Sequence, residues 1–320
     1  MKAAYITQTG PPENIIYGEL PQPKPGPTEY AVKVSAVDVN PIDLYIRSGM
    51  VPAKLDFPYV IGCDLAGVIV EAGRVWATNQ GLGGRPGTFS EFAAIDERWL
   101  HPTPQNVKDV DIVALSLVGT TAHLGLVTHA KLKTGEILFV NGGTGGVGSS
   151  VVQMAKILGA RVITTAGSDE KVEATKKLGA DLAINYKTQD VDAAIKTFAA
   201  NGVNVWWESL SEPNFERTIP LLAMRGRMVV MAGRAAKPLF PVGPFYTKDC
   251  SIHGFAMFNC TPEEGRAAAV DIGHWLAEGK LKAQIDRVLP LSQAAEAHRL
   301  QEESSIHKKG TLAGKIVLKP

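Results

Sequence analysis

From about residue 119 onward, apolar runs of strand length alternate with segments whose apolar residues recur every three to four positions. The strand-length runs lie at 137–140, 162–165, 182–185, 203–207, 227–231 and 250–255. The segment after the first run carries one helical stripe, which consists of Val147, Val151, Met154, Ala155 and Leu158. Strands that alternate with helices are typical of crossover units, so this part of the chain is predicted to form a parallel sheet.

The first hundred residues follow another pattern, in which short alternating runs are separated by glycine and proline clusters. The runs at 30–37, 65–70 and 89–95 predict strands of an irregular β-rich domain. A helix is predicted to begin after Thr261, because Thr261 and Glu264 have the spacing of a capping box. The apolar run 314–318 predicts a closing strand that pairs with the N-terminal β-rich part.

A glycine-rich turn, residues 140–148, lies between the first predicted strand and the first predicted helix. Glycines let the backbone approach a pyrophosphate closely, and the helix N-terminus adds free N–H groups with about half a positive charge. The order of strand, glycine turn and helix predicts a dinucleotide site. The alternative is a tight turn that binds nothing. The predicted cofactor-binding residues are Gly142, Gly145, Gly146, Val147 and Gly148.

The residues after the second predicted strand bear on the choice of coenzyme. A dinucleotide-binding domain that prefers NAD usually places an acid at this strand end, where it binds the ribose 2′-OH. Here the strand end carries no acid, while Ser168 can donate to a 2′-phosphate and Lys171 can neutralise it. We therefore predict NADP(H) as the cofactor. Two alternatives stay open: Ser168 as a helix cap beside a solvated Lys171, and Asp169 as a ribose ligand that permits NAD.

Composition excludes several classes of function. The chain has 320 residues, 45% of them hydrophobic, which is enough for two globular domains. Its net charge of +1 does not favour nucleic acid as a partner. We expect no membrane-spanning stretch and no signal peptide. The three cysteines form no Cys-x-x-Cys pair, which favours a reducing, cytoplasmic location.

Several motifs recur in the order found in one large enzyme family. They are residues 40–49, 62–68, 119–122, 140–148, 287–298 and 314–318. Together they resemble the medium-chain dehydrogenase/reductase superfamily, and most closely its zinc-independent, zeta-crystallin-like quinone oxidoreductase branch. The resemblance implies an α/β fold in which a Rossmann-type doubly wound parallel sheet, residues 119–261, is inserted in a GroES-like β-rich catalytic domain, residues 1–118 and 262–320. The active cleft would lie between the two domains.

The chain departs from this pattern at one place. Relatives carry about ten more residues in the turn that follows Val70. Here residues 71–73 lead directly to Arg74. Either the loop is truncated in this protein, or a segment is missing between Gly73 and Arg74.

The resemblance also implies roles for single residues. Asn40 and Tyr45 would be catalytic residues that face the nicotinamide or the substrate oxygen, and Asn40 would also contact the cofactor. For Tyr45, a packed aromatic ring is the alternative. Four further residues are expected to bind the cofactor: Thr121, Tyr186, Gly233 and Phe255. For Phe255, packing at a dimer interface is the favoured alternative.

No metal is expected. The positions at which zinc-containing relatives hold their catalytic metal correspond here to residues 37–40 (Val-Asp-Val-Asn), residues 62–64 (Gly-Cys-Asp) and Thr121. Only Cys63 binds zinc readily, and one thiolate does not make a zinc site.

These features favour an NADPH-dependent quinone reductase that transfers hydride to quinones or related conjugated carbonyls without a metal. The first alternative is an enoyl, alkenal or acyl-thioester reductase, because the same hydride geometry would serve it. The second alternative is a non-catalytic, crystallin-like protein that binds NADPH. The expected partners are a small-molecule quinone or enone and, by resemblance, a second copy in a homodimer; neither nucleic acid nor a membrane is expected.

Overall fold

The six strand-length runs between residues 137 and 255 form one sheet in the computed structural model, which describes residues 1–320. The strands of the whole chain are β1 (Lys2–Ile6), β2 (Ile16–Glu19), β3 (Glu29–Asp38), β4 (Tyr59–Val60), β5 (Leu65–Ile69), β6 (Gly73–Ala77), β7 (Phe92–Asp96), β8 (Leu100–Pro102), β9 (Ile137–Val140), β10 (Arg161–Ala166), β11 (Leu182–Asn185), β12 (Val203–Glu208), β13 (Leu222–Val230), β14 (Ser251–Gly254), β15 (Ile285–Pro290) and β16 (Lys315–Lys319). The helices are α1 (Pro41–Ser48), α2 (Asp109–His123), α3 (Gly146–Ile157), α4 (Asp169–Lys177), α5 (Val191–Phe198), α6 (Phe215–Leu221), α7 (Val242–Tyr246), α8 (Pro262–Ala277) and α9 (Ala294–Ser305).

Strands β9 to β14 are all parallel and lie in the order β11-β10-β9-β12-β13-β14. Counted from β9, this is the order 3-2-1-4-5-6 of a Rossmann-type doubly wound sheet, which confirms that part of the predicted fold class. The strand order reverses between β9 and β12. A ligand site is expected beyond the carboxyl ends of these two strands.

Two adjacent tryptophans in β12 show how this sheet is buried on both faces. The ring of Trp206 stacks on Phe139 with 4.0 Å between the ring centroids. The ring of Trp207 meets Phe255 edge-on at 6.3 Å. Both tryptophans are buried, and successive residues of a strand point to opposite faces. The prediction that they are core residues on opposite faces is confirmed.

The remaining strands form the β-rich part of the chain. One sheet has the order β15-β16-β3-β5-β6-β8, with β7 also paired to β3, and a smaller sheet has the order β2-β1-β4. The C-terminal strand β16 pairs with β3, which confirms the predicted pairing with the N-terminal β-rich part. The pairing is antiparallel and places Val317 opposite Asp38. The helix α8 begins at the predicted capping box, in which the Thr261 hydroxyl and the Glu264 carboxylate exchange hydrogen bonds with each other's backbone.

The turn between β5 and β6 is short and continuous. Ile69 pairs with Gly73, and the Ala72 N–H donates to the Ile69 carbonyl at 3.0 Å. Gly73 has a φ of +92°, a backbone conformation that glycine adopts at little cost. Three residues, 70–72, therefore close this hairpin.

The chain divides into two compact units, Met1–Thr120 with Cys260–Pro320, and Thr121–Asn259. The first boundary falls within α2, which a π-helical turn, Leu124–His129, continues. The segment Asp109–His129 is long and apolar enough to cross a membrane, with a mean hydropathy of 1.7, so the expectation of no such stretch is wrong by that measure. In the structure 78% of the apolar part of this segment is buried, as in the core helix of a globular protein.

A buried histidine in α9 makes stability depend on pH. His298 is fully buried, its ring lies edge-on to Phe89 at 6.0 Å, and neither ring nitrogen has a hydrogen-bond partner. Burial, with a smaller contribution from the Arg47 charge, lowers the pKa of His298 to about 3. The unfolded chain has a histidine pKa near 6.5, so it takes up a proton that the folded state excludes. Stability is therefore lost as the pH falls from about 6.5 toward 3.

We expect the substitution His298→Leu to remove this pH dependence. Below about pH 6.5, the free energy of unfolding of the variant should rise relative to that of the parent chain by about 1.4 kcal/mol per pH unit. Denaturant unfolding of both chains between pH 7.5 and 5 measures the difference, and His307→Leu, at an exposed position, controls for removal of an imidazole. A difference that stays constant over this range would contradict the role of His298.

Candidate functional site

An open groove of about 850 Å³ lies in the unit Thr121–Asn259, beyond the carboxyl ends of β9 to β12. It is therefore at the place where the strand order predicts a ligand site. The residues that line it are Asn141, Gly142, Gly145, Gly146, Val147, Gly148, Thr165, Tyr186, Gln189, Asp190, Val191, Asp192, Ser209, Leu210 and Arg217. The groove thus brings together the five glycine-turn residues predicted from the sequence, and Tyr186.

The glycine turn is held by close backbone contacts that exclude larger residues. Gly142 has a φ of +69°, and its N–H donates to the Thr165 hydroxyl at 3.1 Å. A Cβ atom at Gly148 would lie 2.2 Å from the Gly142 carbonyl oxygen, which is far inside van der Waals contact. Gly148 is therefore required for the close approach of α3 to the turn that follows β9.

The start of α3 supplies donors to this groove. The N–H of Ser149 donates to the Gly145 carbonyl at 2.8 Å and begins the helical ladder of hydrogen bonds. The N–H groups of the first turn have no carbonyl ahead of them in the helix, and the helix dipole adds a partial positive charge. This arrangement suits a phosphate group, so the residues fit the pyrophosphate of a dinucleotide.

A chain of buried polar groups fixes the turn across three strands. Glu208 is 2% exposed, and its carboxylate accepts hydrogen bonds from Asn141 Nδ2 at 3.3 Å and from the Leu210 N–H at 2.9 Å. Asn141 in turn lies 3.5 Å from the Thr165 hydroxyl, which holds Gly142. Sequence reasoning missed Asn141 and Thr165. Their position at the ends of adjacent parallel strands is the signal that could have identified them.

The region after β10 holds the residues predicted to bind a 2′-phosphate. Ser168 is the N-cap of α4, and its hydroxyl oxygen accepts the Lys171 N–H at 3.3 Å, which confirms that Ser168 caps the helix. The same hydroxyl keeps its own proton to donate elsewhere. Tyr186 is 55% exposed at the groove, whereas Ser168 and Lys171 are not among the lining residues. A phosphate contact of Ser168 and Lys171 stays a prediction.

Asn40 lies at the N-cap of α1 and is completely buried. Its Nδ2 donates to carboxylate oxygens of Asp64 at 2.9 Å and of Asp38 at 3.3 Å. Its Oδ1 accepts a hydrogen bond from the Lys315 ammonium, which also pairs with Asp38 at 2.8 Å. The amide is thus fully engaged within its own unit. Direct contact of Asn40 with a cofactor or substrate, as predicted, requires that one of these bonds be exchanged.

The donors near Asn40 do not fit zinc. Burial, with the neighbouring Asp43 and Asp64 carboxylates, raises the pKa of the Cys63 thiol. Burial also raises the pKa of Asp43 to about 7, against the opposing effect of its hydrogen bond with Cys63. No group of three or more His, Cys, Asp or Glu side chains in the chain is arranged to hold a metal ion.

Tyr45 lies on α1, half-buried against the core of the β-rich unit. Burial raises the pKa of its hydroxyl, so the group is protonated at neutral pH and can donate a hydrogen bond. Its packing agrees with the aromatic-packing alternative, and its part in catalysis stays a prediction.

The other predicted cofactor-binding residues are placed as follows. Thr121 is buried within α2. Gly233 follows β13 with a φ of +85°, and a Cβ atom there would lie 3.0 Å from the Ser211 carbonyl oxygen. The ring of Phe255 stacks on His129 of the same unit, with 4.7 Å between the ring centroids. Cofactor contacts of all three stay predictions.

Two family models match the chain. The model described as "Alcohol dehydrogenase GroES-like domain" matches residues 26–105, and the model described as "Zinc-binding dehydrogenase" matches residues 146–272. The first match confirms the GroES-like part of the predicted fold class.

Individual relatives cover almost the whole chain. It is 32% identical over 330 residues to the quinone oxidoreductase of Rattus norvegicus, and the alignment covers 99% of this chain and 97% of the relative. It is 29% identical over 322 residues to a 2-haloacrylate reductase of Burkholderia sp, and the alignment covers 93% of this chain and 94% of the relative. Among solved structures, the Escherichia coli quinone oxidoreductase complexed with NADPH is 25% identical, with a TM-score of 0.85 over 100% of both chains.

Proposed function

Because the chain belongs to the medium-chain dehydrogenase/reductase superfamily, in its zinc-independent quinone oxidoreductase branch, we propose that it is an NADPH-dependent reductase of quinones. The observation that carries this proposal is the groove of about 850 Å³ at the glycine turn, where α3 begins. An open site with backbone N–H donors, at the point where the strand order reverses, has the properties that a dinucleotide requires.

The glycine turn would hold the pyrophosphate, through the amides of Gly146, Val147 and Gly148. Tyr186 would contact the 2′-phosphate, with Ser168 and Lys171 approaching from the start of α4. Thr121, Gly233 and Phe255 would serve the nicotinamide end. Residues 119–261 would thus act as the dinucleotide-binding domain, and residues 1–118 with 262–320 as the catalytic domain.

Bound NADPH supplies a hydride to the acceptor. A conjugated carbonyl needs little activation, because its own π-system spreads the charge that arrives, and this suits a chain whose donor set does not fit zinc. Tyr45 would hold a proton at its hydroxyl and donate it to the reduced oxygen. Asn40 would act at the same place if it exchanged its 3.3 Å bond to Asp38, the longest of its hydrogen bonds.

The proposal is tested by following NADPH oxidation with 1,4-benzoquinone, with crotonyl thioester and with a simple aldehyde. We expect the quinone to give the highest kcat/KM, and NADPH to exceed NADH as the donor. Comparable turnover of the unconjugated aldehyde would contradict metal-free reduction of conjugated acceptors. Tight NADPH binding without turnover of any acceptor would favour the non-catalytic alternative.

The substitution Tyr45→Phe tests the proton donor. We expect kcat to fall by about tenfold or more, with the KM for NADPH unchanged, because general-acid catalysis typically contributes that much or more. Tyr30→Phe is the matched control, because it removes the hydroxyl of a tyrosine that is exposed on β3. An unchanged kcat with every acceptor would remove Tyr45 from the chemistry.

A second candidate is reduction of a conjugated carbon–carbon double bond. The observation that favours it is the similarity to 2-haloacrylate reductase, whose named substrate class is an α,β-unsaturated acid. The same acceptor panel separates the two, since an enoyl reductase would turn over the crotonyl thioester faster than the quinone.

The oligomeric state and location belong to the proposal as well. Strand β14 pairs only with β13, so the outer edge of β14 is unpaired. Ile252 on this strand is 40% exposed. This edge supports a homodimer, which light scattering of the purified chain measures. A cytoplasmic location follows only from the small number of cysteines.

A further inference from the structure

Asn185, the last residue of β11, ties two elements together at one end of the parallel sheet. It is 5% exposed, and its Nδ2 donates to an Asp169 carboxylate oxygen at 2.7 Å. Its Oδ1 accepts the Lys187 N–H at 3.1 Å, and its backbone N–H donates to Gln189 Oε1 at 2.8 Å. Because both ends of this amide are engaged, its Nδ2 stays directed at Asp169.

Asp169 occupies a position that bears on the choice between NADPH and NADH. It is the first residue of α4 and follows β10, which ends at Ala166, so it lies about twenty residues beyond Gly148. An acid in this region binds the ribose hydroxyls in domains that prefer NAD, and its charge repels a 2′-phosphate. The side chain of Asp169 would therefore work against the preference for NADPH if it faced the ribose.

The hydrogen bond from Asn185 Nδ2, at 2.7 Å, restrains the Asp169 carboxylate. Asn185 pairs with Ala166 across the sheet, so the bond draws the Asp169 carboxylate toward the β11 side. We propose that Asn185 determines the coenzyme preference of this enzyme by holding Asp169 away from the ribose. Asn185 is then a positioning residue that acts through Asp169 and touches no coenzyme itself. The inference rests on the proposed function, because it assumes that a dinucleotide occupies the groove.

The substitution Asn185→Ala frees Asp169 without changing the net charge. The measurement is the Kd of the full chain for NADPH and for NADH, from quenching of its tryptophan fluorescence. We expect the ratio of the two Kd values to shift toward NADH by about tenfold, the size of one hydrogen bond to a charged group. Part of this shift should be a gain in NADH affinity, which a loosened turn would not produce.

Two further variants separate selectivity from structure. In Asn185→Ala/Asp169→Asn the charge that Asn185 controls is gone, so the preference for NADPH should return. Gln189→Ala removes the other side chain that holds this turn and leaves Asp169 bonded to Asn185. We expect this control to weaken the binding of both coenzymes equally, so that the ratio of the two Kd values is unchanged.

The possible failures are distinguishable. Absence of binding of either coenzyme to the parent chain would overturn the proposed function, and the inference with it. A parent chain that prefers NADPH, together with an Asn185→Ala variant that keeps the parental ratio, would overturn the inference alone. An equal loss of NADPH affinity in the single and double variants, with no gain for NADH, would leave Asn185 a purely structural residue and overturn it too.

Discussion

Replacing Gly148 with alanine should raise the Kd for NADPH by at least about 100-fold, equivalent to about 2.7 kcal/mol of binding free energy. The added Cβ atom would lie 2.2 Å from the Gly142 carbonyl oxygen and 3.0 Å from its carbonyl carbon. Both atoms belong to the backbone, so relief requires that the turn move away from α3. Such a movement separates the amides that are proposed to share one pyrophosphate.

The prediction is measured by titration of NADPH into the Gly148→Ala variant, together with its melting temperature. Gly254→Ala is the matched control, because a Cβ atom there has no neighbour within 4 Å, and it should bind NADPH as the parent chain does. Gly145→Ala is a second comparison, since its Cβ atom would meet only the Gly142 carbonyl oxygen at an ordinary 3.5 Å and the turn should persist. A folded Gly148→Ala variant with the parental Kd would place the dinucleotide elsewhere.

The second large effect concerns stability. Removal of the Glu302 carboxylate by Glu302→Ala should lower the free energy of unfolding by about 3–5 kcal/mol. Its partner Arg47 is fully buried in α1, donates to the Gly10 carbonyl at 2.8 Å, and makes its ion pair with Glu302. Without Glu302 the guanidinium stays desolvated and lacks its counter-charge, which is why the loss exceeds that of a surface pair.

Denaturant unfolding measures this effect, and the chain offers a control in the next residue. Glu303 pairs with Lys309 at the surface, so Glu303→Ala should cost less than about 1 kcal/mol. The double variant Arg47→Met/Glu302→Ala removes both charges and should recover most of the lost stability. Equal losses in Glu302→Ala and Glu303→Ala would show that the Arg47 charge needs no partner.

Much of the fold was predictable because it depends on short-range patterns. The runs of Ile137–Val140 and Arg161–Ala166, the glycine turn and the capping box at Thr261 each lie within a few consecutive residues. Alternation of strands with helices then restricts the topology to a parallel sheet. The expectation that no stretch is long and apolar enough for a membrane failed at Asp109–His129 by length and composition alone, because a mostly buried core helix meets the same measure.

The candidate site was predictable only where its residues are neighbours in the chain. The sequence by itself determined the glycine turn at the start of α3, since its backbone requirements are local. Only the tertiary structure decided that Lys315 holds Asn40 across 275 residues, that Glu208 and Thr165 brace the turn through Asn141, and that Asn185 holds Asp169. The physical reason is that hydrogen bonds and ion pairs of buried polar groups depend on which strands become neighbours, and the pairing of distant strands leaves no periodic pattern along the chain.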